Sequence, residues 1–270
     1  MPLYGEGEAK AVMRAIFHAL KGWGTTEMVI HEDDELSPYM RDKIEEILRR
    51  LEAGEPVQYV VGEAYFYGMD LHVGPGVLIP RPETAGLVDI IVADSPESDL
   101  RVLDIGTGSG AIAIALARNL KFPEVTAIDV SPVALKIARE NANLMRARVD
   151  FVEADVFNWR PESEVFDIIV SNPPYVLESE KADMTSNVLL YEPAEALFVP
   201  DAEPLLFYRR ISEIGKVGLK PGGRLYFEIN PLSADALKEM LSANGYEDIV
   251  VEKDIHGRLR YARCRKPDYV

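Results

Sequence analysis

The chain has 270 residues, and 29 Lys plus Arg against 45 Asp plus Glu leave a net charge of −16. That length allows one large domain or two with separate cores, and the acidic balance argues against a protein whose main partner is nucleic acid. A single cysteine excludes an intrachain disulfide, which fits a reducing compartment.

Met1 to Glu6 carries neither a basic nor an apolar leader segment, and no apolar run approaches about 18 residues. The expectation is a soluble, cytoplasmic protein with no membrane partner. From Glu6 to about Leu51 the apolar positions follow a helical period, with Val12, Ile16, Phe17 and Leu20 in one stretch and Met40, Ile44, Ile47, Leu48 and Leu51 in another. Between them, Gly22 to Pro38 reads as a loop and helix start, and its acidic run Glu32-Asp33-Asp34-Glu35 as a solvated segment rather than a metal site. Residues 1–53 thus predict a small helical domain. Residues 54–83 predict a linker, in which strands around Gly68-Met69 make a β-hairpin. The peptide Ile79-Pro80-Arg81-Pro82-Glu83-Thr84 leads into an apolar helix from Ala85 to Ala93.

Residues 84–270 form the third predicted unit, and from Arg101 onward strands alternate with helices. Strands are predicted at Arg101–Asp104, Val125–Asp129, Val149–Glu153, Phe166–Ser171, Arg224–Ile229, Ile249–Lys253 and Leu259–Cys264. Helices are predicted at Ala111–Leu120, Pro132–Ala142, Pro204–Val217 and Ala234–Asn244, with a turn at Lys220-Pro221-Gly222-Gly223. Such alternation with short links implies a mostly parallel, seven-stranded sheet covered on both faces. Arg258, Arg260, Arg263, Arg265 and Lys266 make a basic cluster near the C-terminus whose alternation reads as a solvated strand face.

Two constellations carry chemistry. Asp104-Ile105-Gly106-Thr107-Gly108-Ser109-Gly110 joins a strand to a helix through a glycine-rich turn. The glycines alone also satisfy a dinucleotide fingerprint. Asp104 decides against a pyrophosphate, because like charges would meet; it suits the cationic ammonium and sulfonium of S-adenosylmethionine, directly or through water. Asp129 ends the next strand, where a carboxylate can accept from ribose hydroxyls, while Ser131 before Pro132 serves better as the helix N-cap. Asp155 can accept from an adenine amino group, with Val156 or Phe157 against the ring. The second constellation is Asn172-Pro173-Pro174-Tyr175, directly after a buried strand. Its prolines lack N–H groups, so the Pro173 carbonyl and Asn172 Oδ1 can accept both hydrogens of a planar NH2 group. Pro174 and Tyr175 complete the turn, Tyr175 being placed to pack over the target. That chemistry fits an amide or an exocyclic base amine equally. His18, His31, His72 and His256 form no constellation.

Taken with Gly54-Glu55-Pro56-Val57-Gln58-Tyr59, Leu78 to Thr84 and Tyr191-Glu192-Pro193, these motifs resemble the HemK-type glutamine N5-methyltransferases of peptide chain release factors over nearly the whole chain. The resemblance implies a class I S-adenosylmethionine-dependent methyltransferase fold. It also implies methylation of the glutamine in the Gly-Gly-Gln loop of a release factor. Cofactor contacts would fall on Gly106 to Gly110, Asp129, Val156 and Asn172, and substrate contacts on Asn172 to Tyr175. Two positions depart from the family: Ala85-Gly86, where an acid and a bulky residue are usual, and Asn230, where Gly or His is common. Neither is expected to touch the chemistry. An adenine N6-methyltransferase on RNA or DNA is disfavoured by the charge. A glutamine methyltransferase of a ribosomal protein is disfavoured by Arg81-Pro82-Glu83, where that group reads Arg-Ser-Pro.

Overall fold

A computed structural model describes residues 5–268. The helical N-terminal region holds α1 (Glu6–Lys21), α2 (Thr25–Ile30) and α3 (Pro38–Glu52), followed by the short α4 (Val57–Val61). Ser37 caps α3 by accepting from the Met40 N–H at 3.3 Å, with Pro38 in the first turn where its missing donor costs nothing. The apolar periodicity converges on Ile16, Ile47 and Leu51, and Val60 of α4 joins the same cluster. Helix α2 lies inside the segment predicted as loop. The Gly24 N–H donates to Glu27 Oε2 at 3.0 Å, and Trp23 stacks on both Phe17 and His31, so local contacts close one turn without an apolar repeat. The acidic run after it, Glu32 to Glu35, is solvent-exposed throughout.

Strands β1 (Glu63–Phe66) and β2 (Met69–His72) form the expected hairpin. Its two turn residues, Tyr67 and Gly68, have φ of 48° and 76°, the twist that a two-residue antiparallel connection requires. Helix α5 (Thr84–Asp94) then enters the larger unit. Its start explains one departure from the family pattern. A Cβ at Gly86 would overlap the Tyr261 hydroxyl, which donates to the Glu83 carbonyl at 2.6 Å. Gly86 is small because Tyr261 occupies the space a side chain would need.

The large sheet contains β3 (Arg101–Ile105), β4 (Glu124–Asp129), β5 (Val149–Glu153), β6 (Phe166–Ser171), β9 (Leu219–Glu228), β10 (Glu247–Lys253) and β11 (Leu259–Arg265). They lie in the order β10-β11-β9-β6-β3-β4-β5, and β11 runs antiparallel to both of its neighbours. The chain proceeds outward from β3 to β5, then returns to place β6 on the other side of β3. The crevice between β3 and β6 is therefore the topological switch point, where ligands bind in open α/β sheets. Helices α6 (Ala111–Asn119) and α7 (Pro132–Leu144) connect the parallel strands, as do α9 (Leu206–Gly218) and α10 (Ala234–Ala243). Alternation is clean: Val102, Ile168, Val170 and Tyr226 join the core on the α5 and α6 side, while Leu103, Ile105, Ile169 and Phe227 join the core under α9 and α10. The central strands β3, β6 and β9 bury both faces, whereas the edge strands β5 and β10 are largely exposed.

Two regions differ from the sequence reading. Lys220 to Gly223 belongs to β9 rather than to a turn, because the Gly222 N–H donates to the Lys266 carbonyl and the Lys266 N–H to that of Gly223. An irregularity in the β6–β9 register absorbs the Pro-Gly-Gly sequence. Between β6 and α9, the strands β7 (Val176–Leu177) and β8 (Phe198–Val199) pair around an excursion carrying α8 (Ser186–Tyr191). The C-terminal arginines are not a free basic face: Arg260 pairs with Asp254, Arg263 with Asp94 and Glu252, and Arg265 with Glu247, Asp248 and Asp268. No helix among the described residues is long and apolar enough to cross a membrane.

Gly86→Ala is expected to lower the unfolding free energy by roughly 1–3 kcal/mol, the usual cost of overpacking a filled site. Denaturant unfolding followed by circular dichroism measures it, and an unchanged midpoint would contradict the packing described.

Candidate active site

A cleft of about 250 Å³ lies over the carboxyl ends of β3, β4, β5 and β6. Its floor is the glycine-rich turn. Gly106, Gly108 and Gly110 all have positive φ, at 74°, 55° and 84°. The N–H groups of Gly106 and Thr107 both reach the Ile128 carbonyl, tying the turn to β4. Gly110 serves helix packing, since a Cβ there would lie 2.9 Å from Ile114 Cδ1 and 3.2 Å from Ala138 Cβ. Gly106 and Gly108 line the cleft.

Asp129 lines the cleft at the end of β4. Its Oδ2 accepts from the Gly108 N–H and its Oδ1 from the Ser131 N–H, each at 2.9 Å. Burial raises its pKa, and the N–H donors of Ser131 and Gly108 work in the opposite direction. Ser131 is the N-cap of α7, accepting from the Ala134 N–H, so Asp129 is left free of that duty. Asp155, Val156 and Phe157 also line the cleft. Asp155 accepts from the Phe157 N–H and from Asn158 Nδ2, which holds the loop after β5 in a turn. Phe157 leans on Phe207 of α9, with centroids 5.2 Å apart.

Asp104 sits differently. It shares the Val102 face of β3, so it points beneath the turn toward α6 and is fully buried. Its Oδ2 accepts from the Thr107 hydroxyl at 2.7 Å, but Oδ1 has no hydrogen-bond partner among the described residues. Burial pushes its pKa from an ordinary 3.8 to about 7, against the Thr107 and Ala113 hydrogen bonds, with the Asp129 charge adding a little. Thr107 and Ser109 are buried as well, and with Asp104 and Gly110 they support the turn from below rather than line the cleft.

Asn172, Pro173 and Pro174 line the cleft after β6, the strand adjacent to β3 and its glycine turn. The Ser171 hydroxyl donates to the Ile105 carbonyl at 2.6 Å and locks the end of β6 to that of β3. Tyr175, by contrast, faces the core under α9, and its hydroxyl donates to Glu228 Oε1 at 2.9 Å. Burial, followed by the Glu228 charge, raises its pKa far above the ordinary value. The structure thus places Tyr175 beneath the turn instead of over a target group. Asn230, expected to stand apart, donates from Nδ2 to the Tyr175 carbonyl at 3.1 Å and to Glu180 at 2.7 Å. It therefore anchors the exit of the Asn-Pro-Pro-Tyr turn.

Sequence reasoning missed the remaining wall. Val77 and Leu78 of the linker line the cleft, as do Pro193 and Glu195. Glu192 joins these two segments. It accepts from the Ile79 N–H at 3.0 Å and from Arg81 Nη2 at 2.7 Å, with its side chain 1% exposed. The signal that could have found the supporting residues is a glutamate inside the apolar run Leu225 to Ile229.

The lining contains the carboxylates Asp129, Asp155 and Glu195 and no lysine or arginine. Such a donor set fits a ligand without phosphate groups. The cation S-adenosylmethionine meets that requirement, and the unpartnered Asp104 oxygen below the turn favours positive charge above it.

Residues 84–201 match the family described as methyltransferase small domain, and residues 4–62 match the PrmC N-terminal domain. The chain is 48% identical to the release factor glutamine methyltransferase of Bacteroides thetaiotaomicron, covering 96% of this chain and 93% of that one. It is 40% identical to the protein of the same description from Flavobacterium psychrophilum, covering 96% and 92%. Among solved structures, a methyltransferase from Pyrococcus furiosus superposes with a TM-score of 0.55 at 20% identity, over 86% of this chain and all of that one. A 16S rRNA N2 G1207 methyltransferase from T. thermophilus gives 0.54 at 20%, over 76% and 49%. These two likenesses concern the fold alone.

Asp104→Asn tests the buried charge. An aspartate whose folded pKa exceeds its unfolded one loses stability as pH rises between the two values. The ligand-free variant should therefore gain on the wild type from about pH 4 to about pH 7 and keep a constant advantage above that. Melting temperatures compared across that window check the sign, and a gap that narrows with rising pH would contradict it.

Proposed function

Because the chain belongs to the release factor glutamine methyltransferase family, we propose that it methylates the side-chain amide nitrogen of the glutamine in the Gly-Gly-Gln loop of a peptide chain release factor, with S-adenosylmethionine as cofactor. The observation that carries this reading is a cleft lined by no lysine or arginine into which both the glycine turn and Asn172-Pro173-Pro174 open.

Bound S-adenosylmethionine supplies a methyl group already activated on a sulfonium, so no nucleophilic serine or cysteine is needed. Gly106 and Gly108 bring the backbone close to it. Asp129 takes the ribose hydroxyls, and its two fixed N–H donors hold the carboxylate ready for them. Asp155 faces the adenine amino group, with Val156 and Phe157 against the ring. Asp104 acts from below as the counter-charge, through the turn.

At the target, Asn172 Oδ1 and the Pro173 carbonyl accept the two N–H bonds of the glutamine amide. A planar amide nitrogen is a weak nucleophile because its lone pair is delocalised into the carbonyl. Two fixed acceptors orient that nitrogen and stabilise the positive charge developing on it. Pro174 keeps the turn rigid. Tyr175 contributes to substrate binding by supporting the turn from beneath.

Residues 84–270 are read as the catalytic domain, 54–83 as the linker and 1–53 as the module that docks the body of the factor. Val29, Ile30 and Tyr39 on the helical region are each 68% exposed, unusual for large apolar groups and suited to a protein partner. A release factor substrate implies a cytoplasmic site of action.

Radiolabelled methyl transfer to a purified release factor should be lost when the loop glutamine becomes alanine, and tRNA and rRNA should take no label. Label on RNA, or label unchanged by the glutamine substitution, would overturn the reading. Asn172→Ala should lower turnover by about 100-fold or more while changing cofactor affinity only modestly. A loss smaller than about tenfold would remove Asn172 as a main acceptor. Val29→Ser with Ile30→Ser should raise KM for the full-length factor and leave that for a short Gly-Gly-Gln peptide unchanged. An equal effect on both would dismiss the docking module.

A further inference from the structure

We propose that Thr84 and Glu228 are positioning residues that determine which end of the Asn172 amide faces the cleft. This rests on the reading of Asn172 as an acceptor for a substrate amide and adds the device that makes it one.

An asparagine side chain is nearly symmetric in shape and opposite in polarity at its two ends. Rotated by half a turn, Asn172 would offer NH2 to the cleft. Donor would then face donor, and the substrate amide would lose one of its two acceptors. Something outside Asn172 must therefore fix the rotamer.

The structure supplies a directed chain of hydrogen bonds. Glu228 lies at the end of β9, 1% exposed, and both its oxygens accept: Oε2 from the Thr84 hydroxyl at 2.6 Å and Oε1 from the Tyr175 hydroxyl at 2.9 Å. Burial raises the Glu228 pKa, while the Thr84 and Tyr175 hydroxyls and the Arg260 charge act in the opposite direction and favour the ionised form. Once ionised, the carboxylate can only accept, so the single hydroxyl proton of Thr84 is committed to it. Thr84 Oγ1 then has lone pairs alone to offer Asn172. Asn172 answers with Nδ2, 3.5 Å away. With Nδ2 turned toward Thr84, Oδ1 is left for the cleft. With Glu228 ionised, the polarity runs from Glu228 through Thr84 to Asn172.

Both ends of the chain are held. Asn230 grips the Tyr175 carbonyl, and Tyr261 grips the Glu83 carbonyl beside Thr84. Thr84 belongs to the peptide that leads out of the linker, so the linker delivers the hydroxyl that orients the catalytic amide.

The test uses the full chain with a release factor as methyl acceptor. Thr84→Val keeps the shape and removes the hydroxyl; it should lower kcat by about tenfold or more with KM for S-adenosylmethionine little changed, and the unfolding midpoint should fall because Glu228 loses a donor. Thr84→Ser, which restores the hydroxyl, should return kcat to within about twofold of wild type. In the Asn172→Ala background, Thr84→Val should have no further effect on turnover, because a residue acting only through Asn172 has nothing left to orient. If Thr84→Val fails to fold, Thr84→Ala takes its place in the same comparison. A kcat within about twofold of wild type in Thr84→Val, or a full effect persisting in the Asn172→Ala background, overturns the proposal. Absence of label with the wild-type protein overturns the functional reading and the proposal with it.

Discussion

A carboxylate taken out of water must be given donors, and two such groups determine how the linker meets the catalytic unit. Glu228 and Glu192 are 1% and 5% exposed. Much of what they need comes from the peptide 79–84: the Ile79 N–H and the Arg81 guanidinium for Glu192, the Thr84 hydroxyl for Glu228. Removing a donor from a buried acceptor typically costs about 1–3 kcal/mol, and more when the acceptor is charged. The peptide is thus pinned at both ends. Val77 and Leu78, immediately before it, have little choice but to form a wall of the cleft. The helical region is tied in behind them, since Tyr191 donates to the Ala53 carbonyl and Arg50 reaches Glu55 and the carbonyls of Tyr59 and Val60.

The three aspartates of the cofactor site show how position along a strand assigns roles to identical side chains. Asp129 ends β4 and Asp155 lies two residues past the end of β5, and both carboxylates line the cleft. Asp104 shares the sheet face of Asp129 but stands one residue before the end of β3, where the glycine turn covers it. Its Oδ1 lacks a hydrogen-bond partner among the described residues, and only the Thr107 hydroxyl and the Ala113 N–H work against the cost of burying its charge. A group in that state destabilises the empty site and favours a cationic occupant, and the two effects have one cause.

The strands from Arg101 onward were readable because parallel strands are short apolar runs bounded by turn residues, and Ser131-Pro132 announced α7 for the reasons that make any such pair a helix start. The hairpin at Tyr67-Gly68 was readable from its turn. Helix α2 was not, because its stability comes from the Trp23 stack and one glutamate bond rather than from an apolar repeat. Pro221-Gly222-Gly223 spells a turn locally, yet Lys266 supplies backbone partners from 43 residues later in the chain and makes it strand. Within the site, the residues that touch the ligand space at strand ends follow from topology. Those that come from 193–196 and from α9 depend on how distant segments pack. Tyr175 was misplaced for a similar reason: an aromatic after a turn is equally suited to a target group and to a core, and Glu228 drew its hydroxyl inward.

The two positions expected from the sequence to depart from the family flank the Asn172 relay, and each bears on a backbone carbonyl, Gly86 through Tyr261 and Asn230 directly. Gly86 leaves room for Tyr261, whose hydroxyl holds the Glu83 carbonyl, and Asn230 holds the Tyr175 carbonyl. A main-chain oxygen exists whatever residue carries it, so the donor that grips it can change without altering the groups in between. Thr84, Asn172 and Glu228 have no such freedom, because each is required for its particular number of donors and acceptors. Variation at Ala85-Gly86 and Asn230 is therefore variation in how the relay is clamped, and the direction in which it points the Asn172 amide is left intact.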